Sequence, residues 1–419
     1  MSERDALLGF VAAFVVAVLL TPLAGRFARR VGAVDVPRER GLATRETPLL
    51  GGLAILAGLL VASLLLLNFD GAVGDRMRGV LAGAALITLV GALDDRFDLP
   101  PIVKLAGQAA SAAIPVLAGV EVTNITLPFL GALDLGEAGA PITVVGLVFV
   151  MNVVNFSDGI DGLAAGVCAI AATAFAIIAF DLERGTAATL AAITAGAAAG
   201  FLVHNFPPAR IFMGDCGSNL LGLLLGAVAV EGAVKTQAAL ALVFPLVVLA
   251  VPFLDTTFVV LKRLKYGRPV YVADQNHFHH RLSRIGFSQR RAVLYLYAWT
   301  MMVGALAVAL RFVPYSDEGG SLNLGWALVM ATLGVLVLAA SVYLVVVLEI
   351  LKLRRFSAGL LRSARPGATE RDIDEDVERR IETGQFEAVS VPEPTDAGSP
   401  PGEGRRRAPA RRGSSDDGR

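Results

Sequence analysis

The chain is poor in cysteine, tryptophan and charge. Among 419 residues only Cys168 and Cys216 are cysteines, so neither a disulfide framework nor a thiolate zinc site can be assembled. Charged residues make up 18% of the sequence, against about 25% in an ordinary globular protein. The formal net charge is zero and no long basic face exists, which leaves nucleic-acid binding without an electrostatic footprint. Even the few charges are unevenly spread: Phe356 to Arg419 alone carries 11 basic and 13 acidic residues. The first 355 residues are therefore too apolar for one soluble core to bury. The composition predicts an all-α polytopic membrane protein with two parts, a transmembrane domain over 1–355 and a polar, disordered tail over 356–419.

What is present is a succession of apolar windows. Eleven are long enough, or nearly so, to span a bilayer: 6–23, 49–67, 79–93, 102–120, 140–156, 163–180, 186–203, 217–230, 237–261, 292–313 and 324–351. The first looks like a signal-peptide core, but no small-residue cleavage site follows, and it is read as an anchor. Several windows are rich in glycine and alanine, which lets helices approach closely in lipid. Basic residues collect in alternate loops, with Arg26, Arg29, Arg30, Arg38, Arg40 and Arg45 after the first window. The stretch between the ninth and tenth carries Lys262, Arg263, Lys265, Arg268, Arg281, Arg284, Arg290 and Arg291. The loops 121–139 and 314–323 have neither Lys nor Arg. Eleven spans then place the basic loops and the tail in the cytosol and the N-terminus outside.

On that alternation the acids outside the tail that abut spans and sit among glycines or amides fall on the cytosolic side, while Asp317-Glu318 lies in an outer loop and is read as solvated. The cytosolic ones are Asp94-Asp95 at the end of the third span, Asp158 and Asp161 after the fifth, and Asp215 before the eighth. Three of the four histidines, His277, His279 and His280, lie on the same side beside Arg281. Ionisable groups next to membrane segments are functional candidates by default. Adjacent carboxylates such as Asp94-Asp95 need a cation or a shared proton, unless they are simply a solvated helix end. The run from Asn152 through Asn155, Asp158 and Asp161 to Leu163 sets two amides and two carboxylates within ten residues, among glycines that allow tight turns. Its oxygens suit Mg²⁺, and the helix N-terminus beyond it suits an anion. The bland alternative is a polar loop with an Asp helix cap. Asp215, between Gly214 and Gly217, is the first candidate for a Mg²⁺ ligand, against a plain turn capped by Ser218. The histidine run is read first as a set of donors to phosphate, with Arg281 bidentate, and then as a zinc site or a surface loop. Together these groups suggest phosphoryl transfer between a nucleotide-linked donor and a lipid acceptor, where positioning and charge neutralisation do most of the catalysis.

At these residues the chain resembles the polyprenyl-phosphate N-acetylhexosamine-1-phosphate transferases, relatives of phospho-N-acetylmuramoyl-pentapeptide transferase. The matching elements are Thr47-Pro48 with Gly51-Gly52, Asp94-Asp95 with Lys104-Leu105 and Gln108, Asn152 to Leu163, Phe212 to Ser218, and His277 to Leu282. They occur in family order and cover about residues 5–351. The resemblance implies transfer of a sugar-1-phosphate from a UDP-N-acetylhexosamine to polyprenyl phosphate with release of UMP. It also implies dependence on Mg²⁺ (Mn²⁺ as a substitute), a bacterial cytoplasmic membrane location and a homodimer as one assembly. Carried over, Asp94 or Asp95 is the catalytic base, and Asp215 and Asn155 hold the metal. Asn152, Asp158, Asp161, His277, His279, His280 and Arg281 serve the nucleotide sugar and its phosphates, and Arg45 and Lys104 contact the lipid phosphate. The form His-Phe-His-His-Arg-Leu matches the branch that uses UDP-N-acetylglucosamine or similar simple sugars, and it disfavours a muropeptide donor. One departure is Gly41 to Glu46, where the family often has a Lys or His and this chain offers Arg45; arginine and lysine are not equivalent. Two rivals remain, a secondary transporter and a scaffold acting through its tail. The first would place its acids near the bilayer midplane, and the second leaves the polar motifs without purpose.

Overall fold

A computed structural model describes residues 2–35, 46–127, 131–232, 289–314, 323–337 and 339–340. Arg45, the ninth span, the run His277, His279, His280 and Arg281, and the tail 356–419 lie outside the described residues. The described chain is helical almost throughout: α1 (Glu3–Val31), α2 (Gly52–Leu66), α3 (Gly71–Phe97), α4 (Pro101–Leu117), α5 (Gly139–Ser157), α6 (Leu163–Asp181), α7 (Gly185–Asn205), α8 (Gly214–Gly232) and α9 (Gln289–Phe312). A shorter apolar helix, α10, follows at Leu324–Val337. Six of the described helices are long and apolar enough to cross a bilayer. The protein is an all-α polytopic membrane protein.

Local signals set the ends. α1 opens on a reciprocal cap, in which Ser2 N–H donates to Asp5 Oδ2 at 2.7 Å and Asp5 N–H donates to Ser2 Oγ. α4 opens with Pro101 in its first turn, where the missing N–H costs no helical bond. α3 runs well beyond the apolar window 79–93, because charged residues at both of its ends still make the helical hydrogen bonds. Asp94 and Asp95 therefore sit in its last turns. The loop 121–139 holds an antiparallel ribbon, β3 (Asn124–Leu127) with β4 (Gly131–Asp134), after a still shorter pair, β1 (Val34–Asp35) with β2 (Thr47–Pro48).

Packing follows the rule for lipid rather than for water. α1 turns Ala6, Gly9, Ala13, Ala17, Thr21, Ala24 and Ala28 inward and leaves Leu7, Val11, Val15, Leu19 and Phe27 exposed. Small residues at helix contacts with large apolar ones outside are what a hydrocarbon solvent favours. α7, built mostly of Ala, Gly and Thr, packs between α1 and α6. α8 is the central helix, in contact with α2, α3, α5, α6 and α7, and most of it is buried. The start of α8, the ends of α3 and α5, and the starts of α2, α4 and α6 gather at one end of this bundle.

Candidate active site

The first turn of α8 organises this end. Gly214 has φ +71°, and a Cβ there would lie 2.3 Å from the Asp95 carboxylate, so only glycine fits both the backbone and the space. The turn aims the unbonded N–H groups of the helix at α3. Asp215 N–H donates to Asp95 Oδ1 at 2.7 Å and Cys216 N–H to Asp95 Oδ2 at 3.2 Å. Asp95 is thus a helix cap supplied from a neighbouring helix, favoured by the positive end of α8. The opposite side of this turn rests on the loop before α2. Phe212 N–H donates to Pro48 O, Gly51 N–H to Phe212 O and Gly52 N–H to Met213 O at 2.9, 3.1 and 3.0 Å. A Cβ on Gly52 would meet Gly217 N at 2.3 Å, which gives the Gly51-Gly52 pair its purpose.

Asp94 and Asp95 are adjacent in sequence, yet the helix turns them to different partners. Asp94 is buried and accepts the Leu99 N–H at 2.8 Å, and its Oδ2 pairs with Lys104 Nζ at 2.5 Å. The same ammonium lies 3.0 Å from Asp215 Oδ2, so Lys104 bridges the carboxylates of Asp94 and Asp215. Asp215 Oδ1 accepts Asn155 Nδ2 at 2.9 Å, and that nitrogen also reaches Ser218 Oγ at 2.9 Å. Asp94, Asp95, Lys104, Asn155 and Asp215 therefore converge from α3, α4, α5 and α8.

The turn between α5 and α6 closes the site. Asp158 is half-buried, and burial, then the charges of Asp215, Asp95 and Asp161, push its pKa well above the ordinary carboxylate value. Asp161 ties this turn to the loop after α7, its Oδ2 accepting Ala209 N–H at 2.9 Å. Gly162 N–H donates to Asn205 Oδ1 at 2.9 Å, Asn205 Nδ2 donates to Ile211 O at 2.9 Å, and Tyr297 of α9 donates to Gly162 O at 2.5 Å. Asn205 and Tyr297 carry no motif signal, and only the fold reveals them. Asn152 lies one turn deeper than Asn155, bonded to Gln108 Oε1 at 2.9 Å and Val148 O at 2.8 Å.

Asp94, Asp95, Asp158, Asp161 and Asp215, with Lys104 among them, gather hard oxygen donors at this end. Among the described residues no three His, Cys, Asp or Glu side chains form a complete metal cage. A Mg²⁺ ion that serves phosphates needs no such cage, because one or two carboxylates hold it and water and substrate oxygens complete the shell. The donor set fits that mode.

Comparison with known proteins agrees with the geometry. Residues 77–233, which hold all of these groups, match the family described as Glycosyl transferase family 4. A probable undecaprenyl-phosphate N-acetylglucosaminyl 1-phosphate transferase of Bacillus subtilis is 34% identical, covering 72% of this chain and 84% of that protein. A decaprenyl-phosphate N-acetylglucosaminephosphotransferase of Mycolicibacterium smegmatis is 36% identical over 78% of this chain and 86% of its own length. A phospho-N-acetylmuramoyl-pentapeptide-transferase of Halalkalibacterium halodurans is 32% identical over 74% of this chain and 99% of that protein. With relatives this similar along most of their length, and with the described motifs gathered at one end of a membrane bundle, the chain belongs to the polyprenyl-phosphate N-acetylhexosamine-1-phosphate transferase family.

Proposed function

We propose that this protein transfers N-acetylglucosamine-1-phosphate from its UDP-sugar to polyprenyl phosphate, releasing UMP and starting a cell-envelope glycopolymer. It is a multi-pass protein of the bacterial cytoplasmic membrane. The carrying observation is the convergence of Asp94, Lys104, Asn155 and Asp215 at one end of an apolar bundle. In the reaction a lipid phosphate oxygen attacks the β-phosphorus of the UDP-sugar, and the bond to the UMP oxygen breaks. Both Asp95 oxygens bond backbone N–H groups that are fixed in the α8 N-terminus, whereas Asp94 Oδ2 meets the side-chain ammonium of Lys104, which can swing to a phosphate; we therefore assign Asp94 as the base for the lipid phosphate. Lys104 supplies positive charge beside the developing negative charge. Asp215 with Asn155 would hold Mg²⁺, which neutralises diphosphate charge when bound. Asp158 and Asp161 then serve the nucleotide side, and the His277–Arg281 run and Arg45 serve the phosphates.

The same reading has eleven spans with this end in the cytosol, where the soluble donor is, and the tail 356–419 outside the catalytic domain. The names of the Bacillus and mycobacterial relatives and the His-Phe-His-His form favour a simple N-acetylhexosamine over a muropeptide. The test is UMP release by detergent-purified full-length protein given UDP-N-acetylglucosamine, undecaprenyl phosphate and Mg²⁺. Release must need both lipid and Mg²⁺, fall at least about 1,000-fold in Asp215→Ala, and survive deletion of 363–419. Folded wild-type protein that is silent with this donor, with other UDP-hexosamines and with UDP-muropeptide refutes the reading.

A further inference from the structure

Each of three helices that carry site groups also carries an uncharged amide one turn deeper in the bundle. On α4 Lys104 is followed by Gln108, on α8 Asp215 is followed by Asn219, and on α5 Asn155 is preceded by Asn152. The three amides meet. Asn152 Nδ2 donates to Gln108 Oε1 at 2.9 Å, and Gln108 Nε2 donates to Asn219 Oδ1 at 2.7 Å. Both ends of this chain are anchored on backbone carbonyls, Asn152 Nδ2 on Val148 O at 2.8 Å and Asn219 Nδ2 on Asp215 O at 2.9 Å.

The anchors fix the direction of every bond between them. A carbonyl oxygen only accepts, so Asn219 must turn its nitrogen to Asp215 O and its oxygen to Gln108. Asn152 for the same reason presents its nitrogen. Gln108 is then required to accept at one atom and donate at the other, which a primary amide does and neither a carboxylate nor an apolar side chain can. Gln108 and Asn219 are 6% and 4% exposed, so an unmade bond is not replaced by bulk water. A buried network of this kind is stabilising when complete and a liability when cut.

We propose that Asn152, Gln108 and Asn219 form a positioning relay that sets the height and rotation of α4 and α5 against α8. The relay holds Lys104 and Asn155 in register with Asp215, and its last bond ends on the backbone of Asp215 itself. The role assigned to the relay rests on the transferase reading above; the coupling between its members does not.

The experiment measures UMP release across a Mg²⁺ titration, and thermal unfolding with and without Mg²⁺, on detergent-purified full-length protein. The variants are Gln108→Met, Gln108→Glu, Asn219→Leu and the double Gln108→Met/Asn219→Leu. Thr143→Val is the control, because it removes a buried bond to Val122 N–H at the other end of α5. Gln108→Met should lower kcat by about 10- to 100-fold, raise the Mg²⁺ concentration for half-maximal rate, shrink the Mg²⁺-induced rise in Tm and leave donor KM within about twofold. Gln108→Glu, which loses the donor toward Asn219, should be at least as impaired. The double variant should be little worse than Gln108→Met, since a cut chain is cut once. Thr143→Val should lower Tm and leave kcat and the Mg²⁺ titration alone. Wild-type kcat and Mg²⁺ response in Gln108→Met or Gln108→Glu, or additive losses in the double variant, would overturn the relay. Should Gln108→Met not fold, Gln108→Asn, which keeps the amide but shortens its reach, is judged by the same criteria. If the wild type itself releases no UMP, the functional reading falls. The Tm cycle then decides the relay, with sub-additive losses for it and additive losses against it.

Discussion

The two ends of the bundle hold their helices together in different ways. At the site end the polar groups are chained: Asp95 caps α8, Lys104 joins Asp94 to Asp215, Asn155 joins Asp215 to Ser218, and an amide chain runs underneath. At the far end the described ion pairs are separate, Arg76 with Glu231 at 2.8 Å, Arg78 with Asp75 at 2.6 Å and Arg311 with Asp181 at 2.5 Å. Thr143 there ties the start of α5 to Val122, close to the β3–β4 ribbon. Chained groups share their partners, so losing one disturbs several, while a separate pair fails alone. If that contrast is real, equal chemical changes at the two ends must differ in what they do to activity.

Among changes that leave every site carboxylate in place, the largest effect is expected at Gly214. Alanine there meets both a left-handed backbone and the Asp95 carboxylate, a conformation that costs about 1–2 kcal/mol before the clash is counted. The turn must shift, taking the α8 cap and the Asp215 carboxylate with it. Gly214→Ala should reduce UMP release by more than about 100-fold, measured per folded protein by size-exclusion profile. Activity within tenfold of wild type would show that the chained end tolerates displacement. Asp95→Asn comes next. The amide keeps one acceptor for two N–H donors and turns its NH₂ on the other, so a reduction of about 10- to 100-fold with a lower Tm is expected. Asp94→Asn should impair turnover with much less loss of Tm, because Asp94 accepts only one backbone N–H, that of Leu99. If the two variants are alike in Tm, the division of labour between the carboxylates is wrong.

That division was not legible in the sequence, although the motif was. Neighbours on a helix point about 100° apart, so two adjacent aspartates that read as one pair become a cap for α8 and a partner of Lys104. Spans were legible because a bilayer demands long apolar windows, and windows coincide with α1 to α9 wherever the chain is described. The short ribbon at Asn124–Leu127 and Gly131–Asp134 was not, since four residues give no reliable alternation. Asp215, Asn155 and Lys104 stand out as polar residues in motifs. Gln108 also stands in a motif, but its pairing does not show, because its partner lies 111 residues away; Tyr297 carries no signal at all, and its partner lies 135 residues away. Lys104 pairs with both Asp94 and Asp215 in the structure, and its motif does not announce the second of these, which lies far along the chain on α8.

Tyr297→Phe tests the rim of the site end. It deletes one hydroxyl that donates to Gly162 O, at a cost of about 1 kcal/mol. A reduction of roughly fivefold in kcat/KM for the UDP-sugar is expected from a looser α5–α6 turn. No change in kcat/KM would place the limit of the chained region inside that turn.

The smallest effect on activity belongs to the far end, and it gives the cleanest contrast. Glu231 pairs with Arg76, its side chain 12% exposed and that of Arg76 25% exposed. Glu231→Gln keeps an oxygen for Arg76 Nε but removes the charge, leaving a cation with a weaker partner. After discounting for the partial exposure, the loss is about 1 kcal/mol, which should appear as a Tm lower by a few degrees. UMP release should stay within about twofold, because no chained bond connects this pair to Asp215, although both Glu231 and Asp215 are on α8. A Glu231→Gln protein with much-reduced turnover and an unchanged Tm would mean that α8 transmits strain along its whole length, and that the two ends are one device.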